Sequence, residues 1–378
     1  MADWYIGLMS GTSMDGVDGA LVDFSHEKPR VIHAHSVQLA PELRAELLAL
    51  NTPGPNELHR AALAANALAR NYALVVQALL QSSGVQAAQV QAIGAHGQTL
   101  RHQPGLPGGT GYTLQLNNPA LLAELTGIDV VADFRSRDVA AGGQGAPLAP
   151  FFHRAWFAAP GSDAAGKTIG VLNIGGISNL SILQPGGNTL GFDCGPGNAL
   201  LDMWCQQHTG AAYDTGGAWG AGGVVNPALL HALLAEPYFA MPAPKSTGRD
   251  LFNRAWLDKH LAAFPAEKPQ HIQKTLVELT ASPIAMDVSS YEKNSKSPLH
   301  ELIVCGGGAF NTDLMLRLQA LLPHLKVFSS AARGLPPQDV EATAFAWLAR
   351  QTKLRKALPL ASVTGAKGAR VLGCVYPA

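Results

Sequence analysis

The chain has 378 residues, and its 27 lysine and arginine residues balance 27 aspartate and glutamate residues, so the formal net charge is zero. This balance excludes the charge asymmetry of proteins that bind nucleic acid or anionic membranes. Hydrophobic residues make up 47% of the chain and charged residues 14%, which excludes a disordered protein and indicates a large core. The length favours two domains of similar size.

The cysteines Cys194, Cys205, Cys305 and Cys374 are widely spaced and form no Cys-x-x-Cys pair. We therefore expect neither a disulfide framework nor a zinc site. The N-terminus has no basic flank followed by an apolar core, and no stretch reaches about 18 uninterrupted apolar residues. These patterns predict a cytoplasmic protein without a membrane span.

Residues 4–24 predict an apolar strand, a turn and a second apolar strand. The turn contains small and hydroxyl-bearing residues, namely Gly11, Thr12, Ser13 and Gly16. Backbone N–H groups and hydroxyls of this kind can enclose an anion, and Asp15 and Asp18 can ligate a phosphate-bound divalent cation, directly or through water. A plain structural hairpin is the alternative, but this turn is longer than chain reversal requires.

The following segments alternate between strands and helices, which indicates an α/β domain. We predict strands at 30–39, 90–95, 114–116 and 129–132, and helices at 57–81 and 119–125. His96 and Gln98 follow the strand at 90–95, where an α/β sheet usually binds ligands, although a structural turn explains them equally well. Residues 140–150, rich in Gly, Ala and Pro, look like a connection between domains.

The strand, glycine turn, strand pattern returns at residues 169–183, with Gly175 and Gly176 in the turn. A motif that recurs after about half the chain suggests duplicated domains, each contributing a turn to a cleft, whereas chance similarity of two hairpins is the alternative. Just before it, residues 161–168 match the Walker A spacing. A strand follows that match instead of a helix, so we expect an exposed turn rather than a phosphate-binding loop.

Asp193 ends a predicted strand and precedes Gly-Pro-Gly-Asn, which opens a helix. This position suits a general base at a rigid sheet edge. A helix-capping aspartate is the alternative, but Asn198 would serve better as that cap.

The rest of the second half is predicted to be mainly helical, with helices at 199–208, 227–235, 251–263 and 272–293, the last interrupted by Pro283. A strand at 301–305 runs into Gly306–Gly308, where a nucleotide can lie against bare backbone. A final helix begins at Asp339, which we expect to be its N-cap.

Together these motifs resemble the anhydro-N-acetylmuramic acid kinase family, which belongs to the sugar kinase, heat-shock-protein-70 and actin ATPase superfamily. The resemblance covers the whole chain, and its most specific segments are residues 7–18, 95–99, 132–135, 173–179, 192–198 and 305–311.

The resemblance implies an α/β fold of duplicated actin-like ATPase (ribonuclease H-like) domains with an active-site cleft between them. It places the N-terminal lobe at residues 1–140, with a C-terminal strand within 368–378 returning to it, and the C-terminal lobe at 141–367. Exposed helices of such folds often pair, so the resemblance is compatible with a homodimer.

It also implies an activity: ATP-dependent hydrolysis of the 1,6-anhydro ring of anhydro-N-acetylmuramic acid with phosphorylation of O6, using Mg²⁺, in the recycling of bacterial cell-wall sugar. By the same resemblance Asp193 is the base that activates water, and Arg135, Glu341, His96 and Gln98 are sugar ligands. The ATP-binding residues are Gly11, Thr12, Ser13, Met14, Asp15, Gly16, Val17, Asp18, Gly175, Gly176, Gly306, Gly307, Gly308 and Asn311.

Two other functions fit the sequence. One is an ordinary hexose or amino-sugar kinase of the same fold, in which Asp193 deprotonates a free sugar hydroxyl. The other is a nucleotide-binding regulatory module, whose function would survive loss of the Asp193 carboxylate.

Overall fold

The computed structural model describes residues 3–11, 14, 16–106, 109–159, 166–248, 250–295 and 297–378. The chain divides into two compact units, the first formed by Met1–Trp156 with Asp339–Ala378 and the second by Phe157–Gln338. These boundaries differ from those expected at 140 and 367, because the helix that follows Asp339 packs on strands of the first unit.

The strands are β1 (Trp4–Met9), β2 (Gly16–Asp23), β3 (Arg30–Gln38), β4 (Val90–Ala95), β5 (Gln98–Leu106), β6 (Gly109–Leu116), β7 (Val130–Ala132), β8 (Thr168–Ile174), β9 (Ile177–Leu183), β10 (Thr189–Pro196), β11 (Leu299–Cys305), β12 (Lys326–Ser329) and β13 (Cys374–Tyr376).

The helices are α1 (Pro41–Ala49), α2 (Glu57–Ser83), α3 (Pro119–Thr126), α4 (Ser136–Ala140), α5 (Ala149–Phe157), α6 (Asn198–Thr209), α7 (Ala218–Ala221), α8 (Pro227–Leu234), α9 (Arg254–Leu261), α10 (Pro269–Asn294), α11 (Thr312–Leu321) and α12 (Val340–Lys353).

The first unit is built on a six-stranded sheet in the order β13-β7-β4-β1-β2-β3. Strands β1, β2 and β3 are antiparallel neighbours, β4 is parallel to β1, and β7 is parallel to β4. Strand β13 pairs antiparallel with β7. Strands β5 and β6 form a separate two-stranded hairpin beyond the end of β4.

The second unit repeats this topology in a five-stranded sheet, β10-β9-β8-β11-β12. Again three antiparallel strands (β8, β9 and β10) are followed by two parallel ones, β11 beside β8 and β12 beside β11. The order of the first five strands is therefore the same in both units. This repeat confirms the α/β fold with duplicated domains.

Helix α2 covers one face of the first sheet with an apolar stripe that includes Leu68, Tyr72, Val75 and Leu79, each fully buried. Among the described residues it is the one helix long and apolar enough to cross a membrane, with a mean hydropathy of 1.2 over its most apolar window. Because its apolar face packs in the core, packing accounts for that composition.

Helix α12 lies unusually close to the same sheet because glycines face its backbone. A Cβ on Gly7 would lie 1.8 Å from the carbonyl oxygen of Ala342, and one on Gly94 would lie 2.1 Å from that of Phe345. Only glycine permits this approach. The two glycines therefore fix the position of α12 over β1 and β4.

Helix α10 runs without a break from Pro269 to Asn294, so the predicted interruption at Pro283 is wrong. Proline removes one hydrogen bond from a helix interior, at a cost of about 3 kcal/mol. Burial on both sides of it, for example at Leu279 and Ile284, stabilises the continuous helix.

Candidate functional site

The turn between β1 and β2 packs against the core of the first unit. The Met14 N–H donates to the Gly11 carbonyl at 3.1 Å, and Met14 has a left-handed φ of 55°. The side chains of Met14 and Val17 are 3% and 0% exposed, so only their backbone can contact a phosphate. Thr12, Ser13 and Asp15 lie outside the described residues.

Two carboxylates adjoin this turn. Asp18, on β2, accepts a hydrogen bond of 2.5 Å from the Ser36 hydroxyl, and burial raises the pKa of its carboxyl group. Burial also raises the pKa of Asp339, at the N-terminal end of α12, and the negative charge of Asp18 raises it further. Two carboxylates that repel each other favour a cation between them. No cluster of three or more metal-ligating side chains occurs among the described residues.

His96 and Arg135 contact each other at the ends of β4 and β7. The Arg135 Nε–H donates to His96 Nε2 at 3.0 Å. Burial lowers the pKa of His96 well below 6.5, and the Arg135 charge lowers it further. His96 is therefore neutral, and since Nε2 accepts, its proton is on Nδ1.

Two buried polar atoms beside this contact have no partner among the described residues, namely His96 Nδ1 and Gln98 Nε2. Gln98 is fully buried, and its Oε1 accepts a hydrogen bond from the Ser10 hydroxyl. Leaving a buried donor without a partner costs about 1–3 kcal/mol.

Helix α12 contributes to the same region. The Phe345 ring packs on the His96 imidazole, with 4.7 Å between ring centroids. Glu341 lies one turn earlier on the same face, in the first turn of the helix. The structure thus brings His96, Gln98, Arg135 and Glu341 to one part of the first unit. Phe345 was not among the site residues expected from the sequence.

In the second unit, the glycine turn between β8 and β9 is anchored to the start of α6. The Asn198 N–H donates to the Gly175 carbonyl at 2.7 Å, and the Gly197 N–H donates to the Gly176 carbonyl at 3.0 Å. Asn198 is the first residue of α6 and does not cap it, because its side chain donates instead to the Ile174 carbonyl at 3.1 Å. The expected cap is therefore wrong.

Gly306–Gly308 lie against the end of β8. Gly306 has a φ of 77°, and a Cβ there would lie 2.4 Å from Asn173 Oδ1. A Cβ on Gly308 would lie 2.4 Å from the Ile174 side chain, and one on Gly307 would lie 3.1 Å from Asn198 Nδ2. These contacts bring the third glycine segment next to the residues that support the Gly175–Gly176 turn.

Asn311 follows this segment and caps α11, since its side chain accepts from the Leu314 N–H at 3.0 Å. The glycine loop that precedes α7 packs on it: a Cβ on Gly217 would lie 2.1 Å from Asn311 Oδ1. In this structure Asn311 therefore has a structural role.

In the Walker-like stretch, residues 161–165 lie outside the described part of the chain, and Thr168 begins a strand.

Asp193 lies on β10 beside a β-bulge and is half-buried. Its Oδ2 accepts hydrogen bonds from the Ser246 hydroxyl at 2.9 Å and the Thr247 N–H at 3.0 Å. Its backbone N–H donates to the Lys245 carbonyl at 2.9 Å, and its carbonyl accepts from the Tyr238 hydroxyl at 2.7 Å. This carboxylate therefore contacts a loop and caps none of the described helices, and the two bonds to Oδ2 fix its orientation.

Lys245, Cys194 and Tyr238 are buried beside Asp193, and none of them was expected from the sequence as a site residue. Lys245 forms an ion pair of 2.9 Å with Asp287 of α10. Burial raises the pKa of the Cys194 thiol well above its ordinary value, and the nearby Asp287 charge raises it further. Burial also raises the pKa of Tyr238, as does the Asp193 charge. The Cys194 thiol and the Tyr238 hydroxyl therefore stay protonated at neutral pH.

Comparison with known proteins places these features in a family. The family model described as anhydro-N-acetylmuramic acid kinase matches residues 3–378. The chain is 60% identical to a protein of that name from Albidiferax ferrireducens, with all of both chains covered, and 61% identical to one from Variovorax paradoxus, with 99% of each covered.

Among solved structures, the chain resembles an activator of 2-hydroxyisocaproyl-CoA dehydratase from Clostridium difficile. The identity is 12%, the TM-score is 0.46, and the match covers 91% of this chain and 92% of the other. The full-length family match and the 60% identity together decide the relationship. The chain belongs to the anhydro-N-acetylmuramic acid kinase family.

Proposed function

We propose that the chain hydrolyses the 1,6-anhydro ring of anhydro-N-acetylmuramic acid and transfers the γ-phosphoryl group of ATP to O6. The products are N-acetylmuramic acid 6-phosphate and ADP, and the reaction belongs to cell-wall recycling in the cytoplasm. Family membership across the whole chain supports this activity. The observation that carries the mechanism is the held carboxylate of Asp193.

Asp193 acts as the general base. It takes a proton from a water molecule that attacks C1 of the sugar, and the C1–O6 bond breaks as the C1–O bond to water forms. The freed O6 attacks the γ-phosphorus, and ADP leaves. Donors from Ser246 and Thr247 fix the orientation of the carboxylate, so little reorganisation is needed during proton transfer.

Four side chains of the first unit bind the sugar. Arg135 and the neutral His96 supply donors, and the unpartnered His96 Nδ1 and Gln98 Nε2 suit carbonyl or hydroxyl oxygens of an amino sugar. Glu341 accepts hydrogen bonds from sugar hydroxyls. Satisfying the buried donors on binding favours a polar sugar over an apolar ligand.

The glycine turns bind the nucleotide through backbone groups. The segment from Gly11 to Asp18, of which Thr12, Ser13 and Asp15 lie outside the described residues, would bind phosphates, as would Gly175 and Gly176, and Gly306–Gly308 would bind the adenosine. Asp18, Asp339 and Asp15 would hold Mg²⁺, and the mutual repulsion of Asp18 and Asp339 fits a divalent cation. The cation would neutralise charge on the transferred phosphoryl group.

The decisive experiment is turnover of the anhydro sugar with ATP in ¹⁸O-water, followed by mass spectrometry. We expect a phosphorylated, ring-opened product with the heavy oxygen at C1 and none in the phosphate. A control in which finished, unlabelled product is incubated in the same water corrects for exchange at the anomeric centre. Turnover of glucose or N-acetylglucosamine but not of the anhydro sugar would instead establish the ordinary hexose kinase.

Asp193→Asn tests the base directly. We expect kcat to fall by about 10²–10⁴-fold while ATP still binds, because the amide keeps the shape of the carboxylate but cannot accept the proton. Asp258→Asn is the matched control, since Asp258 forms an exposed ion pair with Arg254 in the same unit. Unchanged function in Asp193→Asn would favour the regulatory module.

A further inference from the structure

A buried ion pair supports the loop that contacts Asp193. The Lys245 side chain is 1% exposed, and its Nζ lies 2.9 Å from Oδ1 of Asp287, which is 11% exposed. We propose that Lys245 and Asp287 are positioning residues that hold the loop 245–247 and thereby orient the Asp193 carboxylate. This inference rests on the proposed role of Asp193 and adds two residues to it.

The loop contacts Asp193 at three consecutive residues. Lys245 accepts from the Asp193 N–H at 2.9 Å, and Ser246 and Thr247 donate to Oδ2 at 2.9 and 3.0 Å. The Lys245 carbonyl thus binds the backbone of Asp193, and the donors of Ser246 and Thr247 bind its side chain. A shift of the loop would move both donors relative to the carboxylate.

The loop cannot be held by its own secondary structure. Residues 245–248 form neither helix nor strand, whereas Asp287 lies within the long helix α10. The Lys245 ammonium also donates to the Phe239 carbonyl at 3.4 Å and lies 5.2 Å from the centre of the Tyr238 ring. The side chain of Lys245 therefore connects the irregular loop to rigid parts of the unit.

The energetics favour positioning over stability as the role of the pair. Removing two charges from water is expensive, so a buried ion pair often contributes no more to stability than apolar residues of similar volume. Asp287 illustrates this cost, because burial raises the pKa of its carboxyl group in spite of the Lys245 charge. The pair instead supplies a directional contact between the loop 245–247 and helix α10.

The test is the double variant Lys245→Met/Asp287→Leu, which removes both charges together and leaves neither unpaired. We expect a melting temperature close to that of the parent, a kcat at least about tenfold lower, and a KM for ATP within about twofold. The control is Arg333→Met/Glu301→Leu, which removes a partly buried ion pair of the same unit, 19% and 11% exposed. Its kcat should stay within about twofold of the parent.

A folded Lys245→Met/Asp287→Leu variant with the parent kcat would overturn the proposal, as would an equal loss in the control. If the double variant does not fold, Asp287→Asn replaces it, with hydrogen exchange at the Thr247 amide as the measurement. An exchange rate at Thr247 that rises above the parent's by more than at other unit-two amides supports the proposal. An exchange rate equal to the parent's overturns it. This measurement needs no turnover, so it separates failure of the positioning role from failure of the proposed activity.

Discussion

Adding one methyl group at Gly94 should lower the stability of the first unit and displace the residues that we propose bind the sugar. A Cβ there would lie 2.1 Å from the Phe345 carbonyl oxygen and 3.0 Å from Ala349 Cβ. Real Cβ contacts to backbone are not shorter than 3.0 Å, so α12 must move by about 1 Å. Overpacking of this size costs about 1–3 kcal/mol.

The same shift should lower activity, because Phe345 packs on His96 and Glu341 lies one turn away on α12. Misplacement by about 1 Å can cost up to about 100-fold, so we expect kcat/KM for the sugar to fall by at least about tenfold in Gly94→Ala. The assays are urea unfolding and steady-state kinetics.

The matched control is Gly105→Ala in β5. A Cβ at Gly105 has no atom within 4 Å, so the same methyl group should change stability by no more than about 0.5 kcal/mol. Equal stability and activity in Gly94→Ala and Gly105→Ala would refute the reasoning that the glycines set the position of α12.

Two further predictions concern stability. Burial lowers the pKa of His153 from 6.5 to about 3, so the folded state stays neutral while the unfolded chain takes up a proton below pH 6.5. The contribution of His153 to the free energy of unfolding is therefore full above pH 6.5 and falls by about 1.4 kcal/mol per pH unit toward pH 3. Urea unfolding at pH 5 should show a loss of about 2 kcal/mol that His153→Leu lacks. An equal loss in the variant would contradict this. Asn311→Ala should lose about 1 kcal/mol because the Leu314 N–H loses its cap, and Asn311→Asp should keep it, as thermal unfolding can measure.

The duplicated architecture was predictable because a glycine turn between two apolar strands occurs twice, and each turn precedes the same order of elements. The hairpin of β5 and β6 was not predicted at its full length. Strand β5 includes Pro104 and Gly105, which normally end strands, and its outer residues are exposed, so it shows no apolar alternation. Its register with β6 is a tertiary property that composition does not encode.

The candidate site likewise has parts that the sequence could predict and parts that it could not. Asp193 could be singled out from the sequence because a carboxylate at the end of a predicted strand before a glycine-rich helix start is a local pattern. Its partners were not found, since Tyr238, Ser246 and Thr247 lie 45, 53 and 54 residues further along the chain. Lys245 and Asp287 have no local signal at all, because their pairing depends on where α10 packs.

The order of the chain also affects how the protein is made. The first unit consists of residues up to 156 and residues from 339 onward, so a ribosome must synthesise all of the second unit before α12 exists. Until then the β1 and β4 faces around Gly7 and Gly94 stay uncovered in the nascent chain, with their apolar side chains accessible. The second unit is continuous and can fold as soon as it emerges. The first unit can therefore complete its fold only after the second unit has been synthesised.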